Sequence, residues 1–155
     1  MVISVSNGAA KLIGSSTPDL QATWSPHGES LMYKEGSRLR IFSLKENTSR
    51  TVYQAPDGKT ICGMEMYANS WSPNGSRFII TERDTSATST SPQKLIMINL
   101  SNGSPNVLGE APEGYPLSEL RWSTDGSKVI ATGKSISSAS ALYYEYWVME
   151  NFLPK

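Results

Sequence analysis

The stretch from Trp71 to Asp84, "WSPNGSRFIITERD", reads as the end of one strand, a tight turn and the start of the next. Pro73 presets its own φ, Asn74 suits the bridge or left-handed region, and Gly75 takes a positive φ at little cost. Phe78-Ile79-Ile80 then form an apolar run of strand length bounded by polar residues. The same statement occurs twice more, as "WSPHGESLMYKEG" from Trp24 and "WSTDGSKVIATGK" from Trp122, so the tryptophans stand 47 and 51 residues apart. An internal period of that length is a better guide to architecture than any single motif.

The repeat has a second half. "LKENTSRTVYQAPDG" (44–58) aligns without a gap on "LSNGSPNVLGEAPEG" (100–114), and "SNGAAKLIG" (6–14) aligns on "SNGSPNVLG" (101–109). The segments "RLRIFSL", "KLIMINL" and "YEYWVME" precede these turns as strands; the first alternates, whereas the second is more continuously apolar, as a strand buried on both faces would be. Each unit therefore comprises four antiparallel strands, here A to D. Four short strands in a repeat of about 40 to 50 residues is the pattern of a propeller blade. Nine prolines and twelve glycines are spread so that no confident helix is expected.

Composition narrows the function classes. Fourteen basic residues balance fourteen acidic ones, so no long-range field favours nucleic acid or an anionic membrane. No window approaches the ~18 apolar residues of a membrane-spanning helix, and no signal peptide is read at the start, which leaves the compartment open. The single cysteine, Cys62, excludes an internal disulfide and a cysteine-based metal site. Four glycosylation sequons, at Asn47, Asn74, Asn99 and Asn102, are read as chance matches in an Asn- and Ser-rich chain.

With the units aligned, "WSPHGESLMY", "WSPNGSRFII" and "WSTDGSKVIA", followed by "IFSL", "IMINL" and "YWVME", resemble the TolB-type (WD-type) propeller repeat. The resemblance implies an all-β fold of four-stranded antiparallel blades. It is shared with the non-catalytic propellers of tricorn-type and prolyl oligopeptidase-family peptidases, and a periplasmic setting follows if the natural start lies upstream. His27 and Asn74 stand where the repeat usually has Asp, and only Asp125 matches it, so no metal role is expected there.

The expected organisation is the end of a blade at 1–14, blades at 18–55 and 62–110, and an incomplete blade at 115–155 lacking strand D. Three blades are fewer than the ~4 to 8 of closed propellers. Two readings account for this: a segment of a longer propeller, or two copies forming a homodimer that completes a six-bladed ring. The recurring tryptophans are read as wedges between blades.

Strand alternation puts the A–B and C–D turns on one end of the blades and the B–C and D–A connections on the other. The second end holds the long segments, with a B–C loop from Glu82 to Gln93 and the D–A stretch "APDGKTICGMEMYANS", and is taken as the binding face. Its candidate residues are Glu65, Tyr67, Glu82, Arg83, Asp84, Tyr115 and Glu119. No catalytic residue, metal site or cofactor is expected: His27 is the sole histidine, and neither a nucleophile elbow nor a phosphate-cradling loop is present. The expected role is a non-catalytic scaffold for a protein or peptide partner; the alternatives are a fragment of a serine peptidase's gating propeller and a sensor module of a signalling protein.

Overall fold

The computed structural model describes residues 2–3, 6, 8, 10–11, 22–62, 70–88, 91–111, 115–134 and 144–150. Its three Trp-Ser-x-x-Gly turns close the same bonds. Ser25, Ser72 and Ser123 each donate their backbone N to the residue five positions on, at 2.9 Å, and accept the backbone N of Gly28, Gly75 and Gly126, also at 2.9 Å. Each serine Oγ also accepts the backbone N five residues on, at 2.9–3.0 Å. The three glycines have φ of 71°, 70° and 72°, a region in which a β-carbon is costly.

These turns start three antiparallel sheets. Blade 1 comprises β3 (Ala22–Trp24), β4 (Ser30–Glu35), β5 (Arg38–Ser43) and β6 (Thr48–Gln54). Blade 2 comprises β7 (Lys59–Cys62), β8 (Arg77–Asp84), β9 (Lys94–Asn99) and β10 (Pro105–Glu110). Blade 3 comprises β11 (Leu117–Trp122), β12 (Lys128–Lys134) and β13 (Tyr144–Glu150), and among the described residues β13 pairs only with β12. A hairpin of β1 (Val2–Ile3) and β2 (Ala10–Lys11) precedes them. The described residues contain no helix.

Strand A of blade 2 departs from the sequence reading. Lys59–Cys62, expected within a long D–A loop, pairs with the far half of β8, from Lys59↔Asp84 to Cys62↔Thr81, while Trp71 bridges Phe78 at its near end. Two pieces of chain share one edge, and residues 63–69 between them lie outside the described set.

Packing explains the two kinds of apolar run. In blade 2, Phe78, Ile80, Ile96 and Ile98 join Met32, Leu39, Val52 and Tyr53 of blade 1 in one core. The intervening Ile79, Leu95 and Met97 join Leu117, Leu120, Trp122, Val129 and Ala131 of blade 3 in another. Within "KLIMINL" the run Leu95–Ile98 is apolar at every step because alternate residues enter different cores. Burial of each such side chain stabilises the fold by about 1.5–3 kcal/mol. Leu31, Tyr33 and Phe42 form a smaller cluster on the other face of blade 1.

Trp71 and Trp122 lie between blades, whereas Trp24 is half exposed. Trp122 donates its Nε1 to Ser70 O of blade 2 at 3.0 Å. Trp71 meets Phe78 edge-on, with ring centroids 5.4 Å apart, and its buried Nε1 has no acceptor among the described residues. The C–D turns repeat a left-handed residue at one aligned position: Gly8 (φ 70°), Asn47 (φ 60°) and Gly103 (φ 71°).

Candidate functional site

Of the seven candidate residues, Glu65 and Tyr67 lie outside the described residues. Glu82, Arg83 and Asp84 are strand, not loop: β8 continues to Asp84 because Lys59, Thr60 and Ile61 pair with them, and the B–C connection shortens to 85–93. Alternation along β8 then separates the three. Glu82 is in step with Ile80 and points to blade 1, where it is 5% exposed and accepts the Tyr53 hydroxyl at 2.6 Å. It is therefore a buried anchor between blades, not a loop residue free to meet a ligand.

Burial, reinforced by the neighbouring Glu82 carboxylate, pushes the Tyr53 phenol well above its ordinary value near 10. The phenol thus stays protonated and continues to donate. Arg83 is half-buried on the opposite face and donates Nη1 to Thr88 O at 3.4 Å. Asp84 is exposed and pairs with Lys59 Nζ at 2.7 Å, a solvent-screened surface bridge that adds little to stability.

Tyr115 is half-buried before β11. Glu119, within β11, pairs with Arg121 at 3.3 Å and points away from the blade 2 core that Leu120 enters. The structure therefore brings Arg83 and Asp84 to one sheet end, removes Glu82 into the interior, and commits Glu119 to an ion pair.

The described residues of the 85–93 connection, 85–88 and 91–93, include several that are held by hydrogen bonds. Thr85 donates its backbone N to Gly58 O at 2.8 Å and its Oγ1 to the same oxygen at 3.2 Å, tying this connection to the β6–β7 turn. Ala87 N donates to Asp84 O, Ser91 N to Thr88 O, and Thr88 N to Ser91 Oγ. Gln93 Oε1 at its end and Thr81 Oγ1 within β8 are buried oxygens with no hydrogen-bond partner among the described residues. Neither they nor Tyr53 carried a sequence signal, since their importance comes from burial and pairing across the sheet. Cys62, half-buried in β7, donates Sγ to Thr60 O at 3.6 Å, and burial raises its thiol pKa against the lowering influence of Arg83.

The opposite end carries the A–B turns. Asn74 Oδ1 accepts from Ser72 Oγ, Ser76 N and Ser76 Oγ, and Asp125 Oδ1 accepts the equivalent set from Ser123 and Ser127. These bonds pull the Asp125 carboxyl down to about 2. His27, at the same position in blade 1, is exposed. Among the described residues no group of three or more His, Cys, Asp or Glu side chains could hold a metal ion.

Sheet order, blade stacking and turn chemistry together define an antiparallel β-propeller segment. No family model matches the sequence, and no curated relative does. Solved structures do. An oligogalacturonate lyase in complex with manganese superposes with a TM-score of 0.66 at 16% identity, covering 84% of this chain and 37% of the lyase. TolB from Acinetobacter baumannii matches at 0.57 and 17% identity, covering 96% of this chain and 34% of TolB. Kuenenia stuttgartiensis hydrazine synthase matches at 0.56 and 14% identity, covering 83% and 38%. The fold is thus the TolB-like propeller, and the chain spans little more than a third of each of these structures.

Proposed function

We propose that the chain is a non-catalytic propeller segment that presents its B–C/D–A end to a protein or peptide partner. The observation that carries this reading is the 85–93 connection. It departs from the repeat, yet the bonds of Thr85 to Gly58 and between Thr88 and Ser91 position its described residues, so a partner meets groups already held in place there. Arg83 and Asp84 border it with one charge of each sign, and Tyr115 adds an aromatic ring at the start of blade 3. The A–B end is the poorer candidate, because its polar side chains are spent on closing their own turns. Fold alone does not decide activity: two of the proteins it resembles are named as a lyase and a synthase.

The test is selection of displayed random peptides on the immobilised chain, followed by binding of the selected sequences to variants. Arg83→Ala and Asp84→Ala are expected to weaken binding about tenfold, the effect of ~1.4 kcal/mol, with little change in melting temperature. Binding unaffected by both changes but lost on altering Asn74 or Asp125 would place the surface at the wrong end. Release of unsaturated product from an oligogalacturonate by the purified chain with manganese would overturn the non-catalytic reading.

A further inference from the structure

The two joints between successive blades differ at one aligned point. Where blade 1 meets blade 2, Tyr53 of strand D donates its hydroxyl to Glu82 of strand B at 2.6 Å. Glu82 stands eleven residues after Trp71, and eleven residues after Trp122 stands Gly133. The gapless alignment of 44–58 on 100–114 puts Gly109 in the place of Tyr53. Sheet register agrees, with Leu39↔Tyr53 in blade 1 and Leu95↔Gly109 in blade 2, each beside the same irregularity in the pairing of strands C and D. Where blade 2 meets blade 3, the phenol and the carboxylate of the first joint are thus both replaced by glycine.

Neither glycine answers a demand of the backbone. Unlike the turn glycines, Gly109 and Gly133 do not have positive φ, and the irregularity beside Gly109 accommodates a tyrosine in blade 1. A strand glycine without such a reason marks the close approach of another backbone or of a ligand. Two oxygens decide between these. Thr81 and Gln93 are 0% and 4% exposed, and Thr81 Oγ1 and Gln93 Oε1 have no hydrogen-bond partner among the described residues. Both lie on the face of blade 2 turned to blade 3. Thr81 is in step with Ile79 and pairs with Leu95, and Gln93 is in step with Leu95, both members of that core. They are diagonal neighbours across the sheet, roughly 7–8 Å apart, and Leu95 between them pairs with Gly109. Close approach of blade 3 leaves these oxygens unsatisfied, whereas a ligand that hydrogen-bonds to them does not.

We infer that the joint of blades 2 and 3 is a binding slot for a neutral phenolic ring, of the size that the first joint carries as Tyr53. The ring takes the room left by Gly109 and Gly133, against their pairing partners Leu95 and Leu117. Its hydroxyl donates to Gln93 Oε1, which can only accept, and accepts from Thr81 Oγ1, which can do either. Both protein groups are uncharged, so the slot favours a neutral hydroxyl over an ion. Gly109 is half-buried on the outer strand and Gly133 is buried, which puts the entrance at the outer rim. The slot does not depend on a peptide partner for the 85–93 surface.

The probe is p-cresol, the tyrosine side chain as a free molecule, followed by ligand-observed NMR titration and by its effect on melting temperature. It should bind saturably, raise the melting temperature, and bind about tenfold more tightly than toluene, which has the same ring without the hydroxyl. Thr81→Val and Gln93→Met keep the shape and remove the unpartnered oxygens; each should leave the fold stable and shrink that preference, and together they should abolish it. Gly109→Tyr puts the ring in place covalently and should end p-cresol binding. Should that variant fail to fold, the loss of preference in the Thr81→Val and Gln93→Met pair still carries the test. N-acetyltyrosinamide separates two sources of the ring: its binding alongside p-cresol assigns a tyrosine borne on a peptide, and binding of p-cresol alone assigns a free phenol. No saturable binding of p-cresol, equal affinity for p-cresol and toluene, or a preference that survives the double variant would each overturn the inference. So would a marked loss of stability in Gln93→Met without p-cresol binding by the parent, which would give the place to ordered water.

Discussion

Blades 1 and 2 are built from the same repeat but live in different surroundings. Blade 2 is enclosed on both faces, with Phe78 and Ile80 turned to one neighbour and Ile79 to the other, all at 0% exposure. Blade 1 turns Met32 and Leu39 to blade 2, while its own tryptophan stands half in solvent. The C–D turns differ in the same way. Asn47 and Gly103 hold one aligned left-handed position, yet a β-carbon on Gly103 would come within 2.6 Å of Val52 O. The Arg50 guanidinium reaches across to Leu100 O at 2.9 Å beside it. The repeat thus specifies a backbone shape, and position in the array decides how much each residue of that shape matters.

The comparison is most severely tested at the tryptophans. Trp71→Ala should cost about 3–5 kcal/mol, the range for deleting a buried aromatic side chain, whereas Trp24→Ala should cost under about 1 kcal/mol. Chemical denaturation measures both, and equal losses would erase the distinction. Next come the C–D turns. Gly103→Ala adds left-handed strain to a clash with backbone and should cost about 2–4 kcal/mol, while Asn47→Gly, which relieves strain in the open, should be neutral or slightly stabilising in thermal melts.

The link between the two blades should show a smaller effect. Tyr53→Phe removes the donor that buried Glu82 uses and should cost about 1.5–3 kcal/mol. The Tyr53 pKa is raised in the folded chain, so its contribution is complete below the ordinary value near 10 and is lost as pH rises beyond it. The parent should accordingly show an alkaline decline in stability that Tyr53→Phe flattens. The smallest effects belong to the A–B turns. His27→Asn gives blade 1 the acceptor that Asn74 supplies in blade 2 and should stabilise by roughly 0.5 kcal/mol. Asp125 has a lowered pKa, so its contribution holds above the usual 3.8 and fades as pH falls through about 2; Asp125→Asn should remove that acid dependence from the melting temperature.

What the sequence disclosed follows the range over which each feature is determined. The Trp-Ser-x-x-Gly turns were legible because their bonds span five residues and their glycines answer a local demand for positive φ. Strand A of blade 2 was not, since "KTIC" is short, follows a Gly turn and gains its partner only from Thr81–Asp84 some twenty residues on. The site suffered for the same reason. Glu82 reads as a solvated loop charge until Tyr53, 29 residues earlier, is seen to donate to it. The cause of its burial lies in blade-to-blade stacking, which no window of sequence contains.

Cys62 gives this architecture a chemical clock. The only thiol of the chain stands on β7, the short outer piece of a divided strand, and its raised pKa keeps it in the slow-reacting protonated form. Alkylation of Cys62 by a small reagent therefore times how often four residues peel from β8, without any label having to be introduced. A ligand that grips the neighbouring 85–93 connection, which is tied to the turn leading into β7, should slow that clock even if it never touches the sulfur.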